Sequence, residues 1–296
     1  MHIHENGRYR DRELVLANHT YRGQSVGSEG TCHQFPGYGV MFDVGVASLS
    51  STAIPRVFVT HGHGDHVQGF VKQALRRDIR GLSPAAYYAQ EEDAPLIEEM
   101  HRVQLKLARV RNPEPVRVSP IGVGSEVPVD GNLVLRPFRA VHRVPTLGYA
   151  LWSRRRKLLA EHVGKPGKEI ARLRAEGVAI DEALEVPEVA YCGDTSIRIL
   201  ETDAGDVVRR ARLLLLECTF VDDESSPKDT FRTGHVHIEH VLDAAAQGAF
   251  DGNEAVLLTH FSARYSPERA REEATRRLRG TALEGKVHLL LPEERR

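Results

Sequence analysis

Four largely apolar runs, three of which contain β-branched residues, each stop at a short loop that holds a histidine or a carboxylate. They cover residues 56–60 before His61, 188–192 before Asp194, 213–216 before Glu217 and 255–259 before His260. Short apolar runs of this kind are typical of buried strands. Helical patterns cover residues 85–110, residues 237–249 and the segment after Ser266 and Pro267. The sequence therefore predicts an α/β fold in which polar groups gather where strands end.

Residues 14–45 contain short apolar pieces that glycine interrupts, as in Gly37-Tyr38-Gly39. This pattern predicts hairpins. Strand-rich and helix-rich stretches occur twice along the chain, which favours two sheets packed between outer helices. Because the sequence has no short-period repeat, low-complexity tract or Gly/Ser linker, residues 1–296 are predicted to form one domain.

Four strong metal ligands lie on one tight loop directly after the first apolar run: His61, His63, Asp65 and His66. The glycines between them let the backbone bend. One tetrahedral ion cannot use all four ligands from so short a loop, so the pattern requires a second ion and ligands from elsewhere. The predicted suppliers are His142, Asp194 and His260. Asp194 follows a glycine and is the carboxylate best placed to bridge two cations.

Nitrogen and oxygen ligands without cysteine suit zinc, manganese or iron, and zinc is the first expectation. Two divalent ions lower the pKa of a shared water toward neutrality and direct it at an electrophilic phosphorus or carbonyl carbon. The predicted site is therefore that of a metal-dependent hydrolase with two bound metal ions.

The remaining composition limits location and partners. Three cysteines are few for a chain of 296 residues, and an odd number cannot all pair with one another, which argues against a disulfide framework. No run approaches the roughly 18 to 20 apolar residues of a membrane span, and the start of the chain lacks the apolar stretch of a secretion signal. These features favour a cytoplasmic protein without a membrane partner. The net charge of −1 means that an anionic partner must be bound through a local patch.

Residues 61–66, His-Gly-His-Gly-Asp-His, are similar to the HxHxDH signature of the metallo-β-lactamase fold superfamily. Further blocks follow in order: residues 27–32 with 42–45, 187–195, 216–220, 234–237 and 260–265. Together they resemble tRNase Z (ribonuclease Z), in its short, plant-type form, from about residue 20 nearly to the end. The resemblance implies a four-layer αβ/βα sandwich. It also implies a zinc-dependent endoribonuclease that removes the 3′ trailer of precursor tRNA and leaves a 3′-hydroxyl.

The resemblance also implies roles for individual residues. One zinc would be held by His61, His63 and His142. The other would be held by Asp65, His66 and His260, with Asp194 as the bridge. Asp65 would in addition steer the attacking water, and Glu217 would orient His235 to protonate the leaving oxygen. The role of His237 stays open, and a homodimer is implied.

Several alternatives remain at this stage. Residues 154–174 hold eight Lys or Arg against two Glu, which predicts a compact basic arm around residues 152–186 that contacts RNA, or simply the solvated face of a helix. Glu217 could cap a helix or pair with an arginine, and His240 is expected to have a structural role. The enzyme could instead hydrolyse a small phosphodiester or a thioester. A scaffold protein without catalysis is disfavoured, because buried His and Asp clusters are costly without a metal.

Overall fold

The computed structural model describes residues 9–110 and 116–294. A short antiparallel pair joins the two ends of the described chain: β1 (Tyr9–Arg10) and β17 (Glu293–Glu294). The first large sheet contains eight strands: β2 (Arg12–Leu16), β3 (His19–Gly27), β4 (Gly30–Phe35), β5 (Val40–Phe42), β6 (Arg56–Phe58), β7 (Ala86–Ala89), β8 (Val118–Pro120) and β15 (Phe261–Ser262). Its order is β15-β3-β4-β5-β6-β7-β8, with β2 paired to β3.

The second sheet contains seven strands: β9 (Val127–Asp130), β10 (Leu133–Arg139), β11 (Leu147–Leu158), β12 (Asp181–Tyr191), β13 (Leu213–Glu217), β14 (Ala255–Thr259) and β16 (Val287–Leu289). Its order is β16-β14-β13-β12-β11-β10-β9. The pairs β12–β13, β13–β14 and β14–β16 are parallel, so these strands end at the same edge of the sheet. That edge carries the polar loops.

Eight α-helices complete the described chain: α1 (Gly64–Val67), α2 (Phe70–Ile79), α3 (Ala94–Leu107), α4 (Gly167–Ala175), α5 (Gly205–Arg210), α6 (Pro227–Thr233), α7 (Ile238–Ala246) and α8 (Pro267–Leu278). Phe70 and Ile97 of α2 and α3 pack with Val57 of the first sheet. Helices α5, α7 and α8 pack in the same way on the outer face of the second sheet.

The alternation of buried side chains explains why the sheets stack. Leu213 and Leu215 of β13 join a core with Phe42 and Phe58 of the first sheet, whereas Leu214 and Leu216 point to the helices on the other face. Because both faces of β13 are covered, the strand is apolar throughout, as is typical of parallel strands. The layers are helix, sheet, sheet and helix, which confirms the predicted four-layer sandwich.

Most predicted elements are confirmed, including the early hairpins and the helices at residues 238–246 and 267–278. The helix predicted over residues 85–110 is wrong at its start. Ala86–Ala89 is a strand that pairs in parallel with Arg56–Phe58, and the helix begins only at Ala94. The aromatic pair Tyr87 and Tyr88 favours a strand, and its neighbours in the sheet decide the outcome. No helix in the described ranges is long and apolar enough to cross a membrane.

Candidate metal centre and active-site cleft

The loop at residues 59–63 leaves β6 and leads into the short helix α1, so the loop and the helix hold their four predicted ligands at the edge of the first sheet. The backbone N–H of Val44 donates to the carbonyl of His66 over 2.8 Å, which ties the end of the loop to the neighbouring strand connection. A Cβ atom at Gly45 would overlap the carbonyl oxygen of Asp65. Glycine at this position therefore lets the ligand loop lie directly against the sheet.

The loops of the second sheet bring the remaining predicted ligands to this point. His142 follows β10, Asp194 follows β12, and His260 follows β14. Four side chains from three loops form the first group: His61, His63, His142 and Asp194. Within it, His61 Nε2 lies 2.9 Å from His63 Nδ1 and 3.8 Å from Asp194 Oδ2.

A second group surrounds the other oxygen of Asp194, and its members are Asp65, His66 and His260. Asp194 Oδ1 lies 3.2 Å from His66 Nε2 and 3.4 Å from His260 Nε2. The two imidazole nitrogens are 3.4 Å apart, and Asp65 Oδ2 lies 3.2 Å from His260 Nε2. Ligands at about 2.1 Å from a tetrahedral ion are about 3.4 Å from each other, so these spacings fit one cation. The two oxygens of Asp194 thus face two different ligand groups.

Residues outside the predicted ligand set fix the orientation of the imidazoles. Nδ1 of His66 lies 2.7 Å from Asp43, and Nδ1 of His142 lies 2.9 Å from the carbonyl of Gly234. The hydroxyl of Thr219 lies 3.1 Å from Nδ1 of His260. A carboxylate or carbonyl acceptor at Nδ1 leaves the Nε2 lone pair of that imidazole free toward the site. Asp43 lies within one of the blocks that carry the family resemblance, but the sequence predicted no role for it.

The backbone conformation at the site is also unusual. Asp43 has φ of 57° and His260 has φ of 60°, the left-handed region that non-glycine residues rarely adopt. Such conformations cluster at functional sites, because the surrounding structure must enforce them. Here they aim Asp43 at His66 and His260 at Asp194.

The pKa values reflect a cluster of bases around one carboxylate. Burial, together with the neighbouring His66, lowers the pKa of His61 to about 2. For His66 burial acts in the same direction, but Asp194 and Asp43 outweigh it and raise its pKa well above the ordinary value. Burial raises the pKa of Asp194, but the surrounding histidines outweigh it and hold that pKa well below its usual range.

The donor set fits divalent metal ions. His142 Nε2 and Asp194 Oδ1 are buried and have no hydrogen-bond partner in the described part of the chain. When Nδ1 of His66 donates to Asp43, the lone pair on Nε2 points at the lone pairs of Asp194 Oδ1, 3.2 Å away. Two facing lone pairs repel each other unless a cation or a proton lies between them. Imidazole and carboxylate ligands suit zinc, manganese and iron.

Glu217 and His235 form a pair beside this centre. Glu217 is 1% exposed, and its Oε1 lies 2.7 Å from Nδ1 of His235. The same carboxylate accepts hydrogen bonds from the backbone N–H groups of Thr195, Thr219 and Val236. No arginine pairs with it among the described residues. Burial lowers the pKa of His235, but Glu217 outweighs it and raises the pKa to about 9. The contact with Glu217 thus orients the imidazole and favours its protonated form.

The two other histidines of this region have structural contacts. His237 precedes α7, where its Nδ1 accepts from the backbone N–H of Glu239 and its Nε2 donates to the carbonyl of Asp222. It is therefore the N-cap of the helix. His240 is buried, stacks on Phe231 and accepts from the backbone N–H of His237. The structural role expected of His240 fits these contacts.

An open cleft of about 470 Å³ lies over the two ligand groups. Its lining includes His63, Asp65, Asp194, His235 and Arg143. The cleft therefore exposes one side of both ligand groups together with His235, whereas Glu217 lies buried behind that imidazole. The cysteine Cys192 is buried, and burial raises the pKa of its thiol, so it is not a nucleophile.

The segment predicted as a basic arm is the outer part of the β11–β12 hairpin, with α4 at its tip. Residues 152–186 hold eight Lys or Arg and six Asp or Glu. The antiparallel register sets basic residues of β11 opposite acidic residues of β12, as in the pair Arg154–Glu185. Asp181 likewise pairs with Arg156 and Arg174. The positive surplus of residues 154–174 is thus partly neutralised by residues that follow it.

Comparison with known proteins places these features in a family. Residues 46–261 match the model described as the beta-lactamase superfamily domain. The chain is 31% identical to tRNase Z TRZ2, chloroplastic, of Arabidopsis thaliana over 88% of this chain and 72% of that protein. It is 29% identical to tRNase Z TRZ1 of the same plant over 94% and 97% of the two chains. Ribonuclease Z of Thermobifida fusca is 30% identical over 79% and 78%.

Solved structures have the same fold. The crystal structure of human tRNase Z, short form, matches with a TM-score of 0.56 and 17% identity over 91% of this chain and 96% of that chain. The metallo-beta-lactamase fold protein YhfI of Bacillus subtilis matches with a TM-score of 0.55 and 17% identity over 91% and 94%. With the family match and the relatives at 30% identity or above, the chain belongs to the β-lactamase superfamily and, within it, to the tRNase Z (ribonuclease Z) family.

Proposed function

We propose that this protein is an endoribonuclease that removes the 3′ trailer of precursor tRNA with the help of two zinc ions. The observation that carries the proposal is the position of Asp194 between two ligand groups, with the Glu217–His235 pair at the same cleft. A site of this kind can polarise a phosphodiester and protonate its leaving oxygen. The curated relatives that match over most of the chain carry the names tRNase Z and ribonuclease Z.

In the proposed site, His61, His63 and His142 would hold one zinc, and Asp65, His66 and His260 would hold the other. Asp194 would contribute to both ligand groups. The chemistry that two divalent ions would supply here is a lower pKa of a shared water and neutralisation of charge on the phosphate oxygens. The four histidines of this set that have an acceptor at Nδ1 are preorganised for binding, namely His61, His66, His142 and His260.

The other residues handle protons and position the phosphate. Oδ2 of Asp65, the oxygen that lies 3.2 Å from His260 Nε2, also accepts from the backbone N–H of Ser28, which fixes the carboxylate at the cleft, where it can accept a proton from the attacking water. His235, protonated through its contact with Glu217, donates its Nε2 proton to the leaving 3′ oxygen. The carboxylate of Glu217 stays buried and stabilises the imidazolium; it does not contact the substrate.

The test is incubation of the purified, zinc-loaded protein with a precursor tRNA that has a 3′ extension, followed by mapping of the new end. We expect one cut directly after the discriminator nucleotide and a 3′-hydroxyl on the tRNA. Affinity should fall steeply with added salt, as expected for a partner bound through phosphates. Hydrolysis of bis(p-nitrophenyl) phosphate or a thioester without cleavage of the precursor would instead indicate a small-molecule hydrolase. Metal binding without any hydrolysis would indicate a scaffold.

We also propose that the protein acts as a homodimer in the cytoplasm. The first part is supported by exposed apolar side chains on the outer helices of the first sheet: Ile79, Leu96, Val103 and Leu107. Three of them lie on one face of α3, spaced by seven and four residues. Light scattering should give twice the mass of 33.0 kDa, and Leu107→Glu should yield monomers. A monomeric wild-type protein would contradict the proposed dimer.

The proposed cytoplasmic location rests on the three buried free cysteines, which suit a reducing compartment.

A further inference from the structure

A second, smaller pocket adjoins the cleft on the side of His142. It has a volume of about 140 Å³, and three arginines contribute to its lining: Arg143, Arg198 and Arg232. Arg143 lines both this pocket and the metal cleft, so the two cavities are neighbours. Gly234, which precedes His235 and accepts from His142, forms part of its wall. The pocket therefore lies directly beside the groups that surround the reacting phosphate.

The charge of this pocket is not balanced by the described residues. No carboxylate lines it, and none of its three arginines has a carboxylate oxygen within 4.0 Å in the ranges that the structure describes. The arginines of the β11–β12 hairpin differ, because Arg154, Arg156 and Arg174 are each paired with Glu or Asp. Three exposed arginines without an acidic partner thus line one small cavity and give it a positive electrostatic potential, which favours an anion.

The geometry of Arg198 is suited to an anion. Its guanidinium stacks over the ring of Phe231 at 4.8 Å from the ring centroid. Stacking occupies the face of the guanidinium and leaves its N–H groups free at the edge, where they can form two parallel hydrogen bonds to a phosphate. Because the stacked group has fewer conformations to lose, binding costs less entropy. The backbone N–H of Arg198 donates to the hydroxyl of Ser196, which fixes the start of the turn.

The size of the pocket limits its occupant. Pockets that bind whole small molecules have volumes of about 300 Å³ or more, and this one has about 140 Å³. It is thus suited to a single phosphate group and too small for a base with its sugar. An RNA strand that places one phosphate in the metal cleft necessarily presents another phosphate one nucleotide away.

We propose that the pocket formed by Arg143, Arg198 and Arg232 binds the backbone phosphate next to the one that is cut, and so sets the register of the RNA strand. This inference rests on the proposed function, because it names a subsite for the same substrate. In this proposal, charged groups beside the metal centre contribute to specificity, in addition to any RNA contact made by the outer part of the β11–β12 hairpin. Arg198 and Arg232 are positioning residues and do not contact the reacting atoms.

The first test compares Arg198→Ala and Arg232→Ala with a matched control, Arg210→Ala. Arg210 is an exposed arginine just before β13, at the edge of the sheet opposite Glu217. Each pocket variant should lower kcat/KM for precursor tRNA by about tenfold or more, the loss expected for a charge-assisted hydrogen bond. Hydrolysis of bis(p-nitrophenyl) phosphate, which has no second phosphate, should fall far less. Arg198→Lys should recover part of the loss, and Arg210→Ala should behave as wild type.

The second test uses a precursor in which one linkage beside the cut site is a neutral methylphosphonate. One of the two neighbouring positions should slow the wild-type enzyme about as much as Arg198→Ala does, and should slow that variant little further. Equal slowing of wild type and variant by both modified substrates would overturn the inference, as would unchanged kcat/KM in Arg198→Ala and Arg232→Ala. A wild-type protein that leaves the precursor uncut would overturn the proposed function and this inference with it.

Discussion

At the residue scale, one glycine determines how closely the segment that carries His61, His63 and Asp65 lies against the first sheet. A side chain at Gly45 would overlap the carbonyl oxygen of Asp65, and the N–H of Gly45 also donates to the carbonyl of Thr31 over 2.9 Å. Gly45→Ala must therefore push the loop away from the sheet. We expect loss of most of the bound zinc and a fall in phosphodiesterase activity of about 100-fold or more, since displacements of about 1 Å can cost that factor.

A matched control exists for this change. Gly37 is exposed, a Cβ atom at this position would have no neighbour within 4 Å, and its φ is not in the left-handed region. Gly37→Ala should keep both metal content and activity. Elemental analysis of the two purified variants checks the prediction, and normal zinc content in Gly45→Ala would contradict it.

The second prediction at this scale concerns the charge of Glu217, which raises the pKa of His235. The pKa of His235 is about 9, because Glu217 outweighs the effect of burial, so the imidazole is protonated below that pH and loses its proton above it. Activity that needs this proton must fall on the alkaline side. Glu217→Gln removes the negative charge and should move the alkaline limb to lower pH by about 1 to 3 units.

The measurement is kcat/KM against pH for both proteins at equal metal content. Glu224→Gln is a suitable control, because this exposed carboxylate pairs with Arg269 and does not contact His235. An alkaline limb that stays in place in Glu217→Gln would show that His235 is not the proton donor.

The side chains that come together at the candidate metal centre could be predicted from sequence, whereas the groups that orient them could not. The spacing of His61, His63, Asp65 and His66 is local, and a run of ligands in one loop has few structural explanations. Asp43 contacts His66 across 23 positions, and the carbonyl of Gly234 contacts His142 across 92. These contacts arise only when the chain is folded, and a carbonyl group gives no signal in the sequence.

At the scale of elements, contacts that form only in the folded chain also explain why the helix predicted over residues 85–110 is wrong at its start. Tyr87 lies between β6 and β8, and its burial in the sheet outweighs the helical pattern that begins nearby. The arm is a second example. Its basic residues are close in sequence, but strand pairing sets Asp181 and Glu185 against them, and sequence counting over one strand misses this.

A buried carboxylate on β12 connects this strand to β11 and to the residue that precedes β13, which gives a prediction for stability. Glu188 is 3% exposed and accepts from Ser153, Arg155 and Arg212. Burial raises its pKa, but these donors outweigh burial and lower it. Arg212→Ala should reduce the free energy of unfolding by about 1 to 3 kcal/mol at neutral pH, because a buried charge loses a partner while others remain.

The pH dependence gives the sign of this effect. A carboxylate with a lowered pKa stabilises the fold above its unfolded pKa, and this contribution is lost as pH falls through the folded value. The difference in free energy of unfolding between wild type and Arg212→Ala should therefore be largest near pH 7 and become smaller at acidic pH. Urea unfolding at several pH values measures it, with Arg210→Ala, which breaks only an exposed pair, as the control. A difference that grows toward acidic pH would contradict the assignment.

At the scale of the whole molecule, the proposed metal ligands come from both sheets. The loop after β6 belongs to the first sheet, whereas His142 and Asp194 follow strands of the second. Bound metal should therefore stabilise the sandwich by mass action, by about 4 kcal/mol when zinc exceeds its Kd a thousandfold. The apolar layer between the sheets, with Phe42, Tyr149 and Tyr191, does not depend on the metal. We expect the chelated protein to keep its circular dichroism spectrum and to melt at a lower temperature.

The measurement is Tm by calorimetry, before and after chelation and again after zinc is restored. The variant Asp194→Ala serves as the control, because loss of the carboxylate proposed to bridge the two ions should remove most of the shift. Tm should also rise with zinc concentration in wild type. An identical Tm with and without chelator would mean that the sheets are not joined through metal, whereas unfolding at 25 °C on chelation would mean that the core between Phe42 and Tyr149 is too weak to hold the sandwich alone.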